Sequence, residues 1–254
     1  MVKIYLDRWN VWNLKTVLRG VHHKIPADEV LEGVVPAGSL SRDDFAILLD
    51  MESVEMIIEH VREWGLDAPP VGIMERFAKD RNLAPVEDFY DQAYYGRLLA
   101  SIRGSSRPVK IYRNFVELEI DVMNAKNLMK LKLDGVDGAR IPAYMIPGGK
   151  ALGPERLEEL APATPEEALA GVKKALGTDL GGVNAAGRAR DIALGLDRHM
   201  LRQAERRSHI YPLSILPILN FIIRKREEVD FVRLIVRGKS AGLPDEKIRE
   251  MILA

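Results

Sequence analysis

The chain has 254 residues, enough for one large domain or two to three small ones, and 47% of them are hydrophobic, enough to bury a substantial core. Lysine plus arginine and aspartate plus glutamate balance at 37 each, so no global charge draws the chain to nucleic acid or anionic lipid. Cysteine is absent, which excludes disulfides, thiolate metal sites and a cysteine nucleophile and fits a reducing compartment.

In chain order the signals are helical. Residues 2 to 19 carry Ile4, Leu14, Val17 and Leu18 at helical spacing, and Gly20 is expected as the C-terminal cap. Pro26 then opens a short helix with Asp28 and Glu29 in its first turn. Ser41 and Asp44 read as a capping box ahead of an apolar run, and Ser53 as the cap of a helix with Val54, Ile57, Ile58 and Val61 on one face. Gly65 and the Pro69-Pro70 pair close that region. A helix is expected from Pro85 to the Gly104-Ser-Ser stop, and a long one from Pro108 to Lys132. Thr164 and Glu167 read as a second capping box; a helix follows over residues 184 to 206, another from Ser214 to Arg237, and a terminal one from Pro244. Tyr94-Tyr95 and the Trp9/Trp12 pair fall at positions expected to face cores. The longest apolar run, residues 210 to 223, contains two prolines and falls short of the about 20 residues a bilayer span needs, so it is expected as a buried helix start. No strand alternation occurs, and the class is all-α.

One stretch recurs. NLKTVLRGVHHKIPADEVLE, from Asn13, aligns without a gap on FVRLIVRGKSAGLPDEKIRE, from Phe231: Arg19 meets Arg237, Gly20 meets Gly238, Pro26 meets Pro244, Lys15 falls on Arg233 and Val30 on Ile248. VWNLKTVLR also aligns on VMNAKNLMK, with Asn13 over Asn124, Lys15 over Lys126 and Arg19 over Lys130. The same register sets Pro36 over Pro147 and Gly38 over Gly149. Phe45 and Leu48 fall on Leu157 and Leu160 one residue later. Asp91 in YDQAYYGRLL matches Asp197 in LDRHMLRQ. Three copies of one helix-end unit predict three homologous helical modules, divided at residues 1–50, 51–160 and 161–254, each near the size of a small domain. The first is expected to be short at its N-terminus, leaving apolar residues such as Ile4, Val11 and Val17 uncovered.

Candidate chemistry is sparse. RGKSAG, residues 237 to 242, lacks the first glycine of a phosphate-binding loop and follows a helix rather than a strand. His22-His23 are neighbours in a turn, a poor geometry for converging on one ion. The glycine-rich stretch over residues 176 to 188 reads as a connection into a helix. Asp43-Asp44 and Glu158-Glu159 lie at helix starts or on polar faces, with no burial pattern to raise a pKa for acid–base work. No metal, cofactor or catalytic set is expected. The residues singled out as module caps or as an interface are Asn13, Lys15, Arg19, Asn124, Lys126, Lys130, Arg233, Arg237 and Lys239.

The C-terminal region carries a further likeness. An apolar proline-containing helix (Leu216 to Ile223), a basic-acidic stretch (Arg224 to Val229), the run Phe231 to Arg237, Gly238-Lys239, and Gly242-Leu243-Pro244 resemble the end of the C subunit of archaeal-type (A-type, V-type) rotary ATP synthases, a relative of the d subunit of V-ATPases. NLKTVLRG at Asn13 and the Pro36-x-Gly38 that follows are typical of that family too. Phe231 departs from it, standing where the family has asparagine. The resemblance implies a funnel of three helical modules around a pseudo-three-fold axis. It implies a non-catalytic rotor socket joining the central-stalk subunits to the membrane proteolipid ring, peripheral on the cytoplasmic face of the membrane and transmitting torque without binding a cofactor or nucleic acid. A free-standing helical scaffold without rotary partners, and an all-α enzyme with buried titratable groups, are the other classes weighed. The first would travel with solubilised membranes and the scaffold would not; the enzyme requires a convergence of titratable groups that the sequence does not show.

Overall fold

A computed structural model describes residues 2–185 and 188–253, and every described element is helical. The chain divides into two compact units. The first comprises the residues up to Arg103 with Tyr144–Pro147, the second Gly104–Ala143 with Gly148 onward.

The first unit holds α1 (Val2–Leu6), α2 (Arg8–His23), α3 (Ala27–Glu32), α4 (Arg42–Leu49), α5 (Val54–Glu63), α6 (Val71–Asp80) and α7 (Ala84–Ser101). Helix α2 is its axis and packs against α1, α3, α4, α5 and α7. Its residues Leu14, Val17 and Leu18 are fully buried with Phe45, Leu48, Ile57 and Val61. Each such side chain contributes about 1.5–3 kcal/mol when removed from water. Ser41 and Asp44 form the expected capping box, and the Ser53 hydroxyl accepts from the Met56 amide.

Four expectations for this unit change. The N-terminal helix breaks at Asp7 and then runs through Gly20 to His23. Its cap is Lys24, left-handed at φ 55°, with the Ile25 amide returning to the Gly20 carbonyl at 2.9 Å. Gly20 is thus interior to the helix. Val11 and Val17 are buried rather than uncovered, because α3, α4, α5 and α7 fold back on α2; Ile4 is the exposed one. Trp12 is 42% exposed, since Val11, Leu14 and Leu18 take the inward face of the same helix. Helix α6 is an addition to the expected elements: the Pro69-Pro70 pair reads as a stop, yet Pro70 also starts a helix whose Phe77 is buried.

The second unit holds α8 (Arg107–Leu133), a 3-10 helix that begins at Gly138, α9 (Pro154–Leu160), α10 (Pro165–Leu176), α11 (Ala189–Ile210), α12 (Leu216–Ser240) and α13 (Asp245–Leu253). Helix α8 is its axis, packed by α10 and α11, and α11 in turn carries α12. Tyr112, Phe115, Val116, Ile120 and Leu128 of α8 are buried with Ile192 and Leu196 of α11. The helix expected from residue 184 starts at Ala189; Ala186 and Gly187 lie outside the described residues. The apolar run over residues 210 to 223 is only half buried. Leu216 and Leu219 are inside, while Ile218 is 50% and Phe221 61% exposed.

Thr164 and Glu167 make the second capping box. In both boxes the N-cap backbone and hydroxyl hold the carboxylate below its ordinary pKa. A depressed folded-state pKa stabilises above the ordinary carboxylate range and is lost as pH falls through the folded value. In an Asp44→Asn/Glu167→Gln double variant, the stability deficit seen in urea at pH 7 is therefore expected to shrink once pH drops below about 4. A deficit that stays constant into acid would contradict it.

Candidate interface at the repeated helix end

In the first copy, α2 presents Lys15 and Arg19 one turn apart, facing Asp91 and Glu87 one turn apart on α7. The Lys15 ammonium donates to both Asp91 carboxylate oxygens at 2.7 Å, with the side chains 14% and 20% exposed. Arg19 grips Glu87 with two bonds, Nε to Oε1 and Nη2 to Oε2, at 2.6 Å each. The planar guanidinium matches a carboxylate in that forked geometry. Burial pushes the Asp91 carboxyl above its ordinary range, with Lys15 opposing, and the bond to Glu87 raises the Arg19 guanidinium.

The second copy repeats half of this ladder. Lys126 of α8 pairs with Asp197 of α11, as Lys15 does with Asp91. At the Arg19 position stands Lys130, exposed and without an ion pair among the described residues, since Ala193 occupies the place that Glu87 holds in α7. In the third copy Arg233 is half-buried and Arg237 exposed, and neither meets an acid among the described residues. Lys239 pairs locally with Asp245 across the turn into α13, which holds that carboxyl below its ordinary range.

Asn13 is fully buried and clamps one residue by both of its backbone groups. Its amide donates to the Val35 carbonyl at 2.7 Å and its oxygen accepts from the Val35 N–H at 2.9 Å. This fixes the extended Pro36-x-Gly38 segment against α2. Asn124 is fully buried at the matching register of α8.

Two more residues, which the sequence reading does not single out, belong to the repeated helix end. Asn10, one turn before Asn13, donates to Ser39 Oγ at 2.7 Å and accepts from the Leu40 amide at 3.1 Å. Asp121, one turn before Asn124, accepts from the Ala151 and Leu152 amides at 2.9 and 2.8 Å. A Cβ added at Gly38 would lie 2.1 Å from Asn10 Oδ1, and one at Gly149 would lie 2.4 Å from Asp121 Oδ1. The matched glycines are therefore required by close approach. Extending the alignment one residue towards the N-terminus, so that NVWN lies over DVMN, is the signal that finds both polar residues.

The glycine at the helix end is held the same way. A Cβ on Gly20 would come 2.5 Å from Val30, and one on Gly238 2.8 Å from Ile248, the pair that the repeat sets in register. The recurring sequence is thus a recurring set of contacts: glycine against an aliphatic residue in copies one and three, cation against aspartate in copies one and two.

Other chemistry is slight. A cavity of about 670 Å³ in the second unit is lined by Lys150, Arg206 and Arg207 together with Asp121, whose oxygens the backbone amides already engage. His22 and His23 lie edge to face at 4.8 Å, with His22 also against Phe77. No group of three or more potential metal ligands occurs among the described residues. No helix among them is long and apolar enough to cross a membrane.

Comparison with known proteins gives one consistent result. The family described as "ATP synthase (C/AC39) subunit" matches residues 1–251. The C subunit of the A-type ATP synthase of Methanosarcina acetivorans is 33% identical over 100% of this chain and 69% of its own length. The protein of the same name from Methanococcoides burtonii is 31% identical over 100% of this chain and 71% of its own. That from Archaeoglobus fulgidus is 30% identical over 100% and 72%.

Proposed function

Because the chain belongs to the ATP synthase (C/AC39) subunit family, we propose that it is a non-catalytic central-rotor subunit of an A-type rotary ATPase. In this reading it is a socket between the soluble central stalk and the membrane proteolipid ring, peripheral on the cytoplasmic face, and it carries torque between them. The observation that supports the reading is the family match along residues 1–251, which takes in all three copies of the repeated helix end.

The geometry is compatible with a transmission part. Force passes through a helical body without loss only if its helices cannot slide, and two-pronged ion pairs and buried amide clamps resist sliding. Three homologous modules over residues 1–50, 51–160 and 161–254 remain part of the proposal. Within the repeated set, Asn13, Lys15, Arg19 and Lys126 serve to tie helices together. The exposed Lys130 and Arg237 are the members available to stalk or ring, in polar contacts of the kind that form detachable interfaces.

Affinity capture of the tagged protein from gently solubilised membranes of its source, followed by mass spectrometry, tests this. Co-recovery of ATPase catalytic subunits, stalk and proteolipid is the expected result. Recovery of the protein alone at native expression would overturn it and leave a free-standing helical scaffold.

A further inference from the structure

We propose that the C-terminal half of α12 is a docking face for an amphipathic helix that sets an aspartate or glutamate against Arg233. The proposal stands on the internal repeat and goes beyond the rotary reading. Val229, Val232, Arg233 and Val236 occupy the registers of Val11, Leu14, Lys15 and Leu18 in α2 and of Val122, Ala125, Lys126 and Met129 in α8. The Gly20–Val30 and Gly238–Ile248 contacts fix the register of α2 on α12 independently of sequence likeness. At i, i+3, i+4 and i+7, all four residues lie on one helix face.

The same face meets opposite fates. In α2, Val11 is 3% exposed and Leu14 and Leu18 are 0%; in α8, Val122, Ala125 and Met129 are 3%, 0% and 1%. In α12, Val229, Val232 and Val236 stand 44%, 54% and 58% exposed. The cation follows the pattern. Lys15 holds Asp91 of α7 and Lys126 holds Asp197 of α11, whereas Arg233 meets no acid among the described residues. Helix α12 packs chiefly on α11 and α13. It thus carries an apolar stripe that is buried in both other copies, beside a cation that there meets an aspartate of a packed helix, and on α12 no helix supplies either among the described residues.

The occupant's chemistry follows from the two covering helices. Asp91 of α7 is followed by buried Tyr94, Tyr95 and Leu98, and Asp197 of α11 is flanked by buried Leu196 and Met200. A helix with one carboxylate beside apolar residues a turn away would cover the valines and form a forked bond with the guanidinium.

The test uses the full chain and a fluorescent peptide of residues 84–101, read by anisotropy, with Asp91→Asn and Asp91→Arg versions of the peptide. The wild-type peptide is expected to bind. It should weaken at least about tenfold on Asp91→Arg in the peptide or on Arg233→Glu in the chain, and recover when the two reversals are combined. Far-UV dichroism checks that the Arg233→Glu chain keeps its helix content. The proposal is overturned by absence of binding, or by binding indifferent to Arg233→Glu, which would mean exchange with α7. It is overturned equally if a concentration-dependent dimer is lost in Val232→Glu, which makes a second copy the occupant. Loss of peptide binding to competing anionic vesicles would point to a lipid surface and also overturn it.

Discussion

Gly20→Val is expected to destabilise the first unit by about 2–3 kcal/mol, the upper part of the range for forcing atoms into a packed core. The added Cβ alone would stand 2.5 and 3.0 Å from the two methyl carbons of Val30, and the branched methyls would reach further. Gly20 is buried inside α2, and its φ is not positive. The cost therefore comes from contact between α2 and α3 and not from a left-handed backbone. Two consequences separate those causes. Gly20→Ala should also destabilise, even though alanine gains about 1 kcal/mol of helix propensity over glycine. Adding Val30→Ala should return much of the loss, because it removes the atoms in the way. A backbone-strain origin would leave Gly20→Ala unrescued by Val30→Ala. Gly238→Val is expected to cost less, since the nearest atoms are Cγ1 and Cδ1 at the flexible end of Ile248. Urea unfolding at constant slope measures all four variants.

Lys15→Met is the second large effect, about 3 kcal/mol. Removing one partner of a largely buried ion pair leaves a charge with no compensation, here Asp91, which burial already pushes toward its protonated form. That direction sets a pH signature. Once Lys15 is gone the carboxyl titrates higher still, and a raised folded-state pKa means that stability falls as pH rises through the window above the ordinary carboxylate range. The Lys15→Met deficit should thus grow from pH 5 to pH 7, and Lys15→Met with Asp91→Leu should recover most of it by exchanging the pair for apolar contact. A deficit independent of pH and not rescued would show that the aliphatic stem of Lys15, not its charge, is what matters. The matching variant Lys126→Met should cost under about 1 kcal/mol. Asp197 is 54% exposed, so water can solvate it when its partner is removed.

Local signals were the legible ones. Capping boxes at Ser41/Asp44 and Thr164/Glu167 could be read from the sequence because a cap is set by residues three apart. So could the helical class and the repeat, because identical packing demands similar residues at a fixed register. Gly20 was legible as a position that needs glycine, but its reason was not. A glycine near a helix end reads as a left-handed cap; only the fold brings Val30 against it and gives the cap to Lys24. Asn10 and Asp121 lie one residue outside the aligned stretch, and what unites them, accepting from amides of the matching returning segments, is a long-range contact that only the fold makes.

By itself, then, the sequence determined what is local or repeated: the all-α class, most helix starts, the recurrence of a cation and a glycine at one helix end, and the family. Tertiary structure alone decided which of those cations are held and which are not. Lys15, Arg233 and Lys126 are equivalent by alignment, yet two face an aspartate and one faces none among the described residues. The same holds for the apolar residues beside them, buried in α2 and open in α12. The physical reason is that charge pairing and burial belong to two surfaces at once, and a helix's own residues specify only one of them.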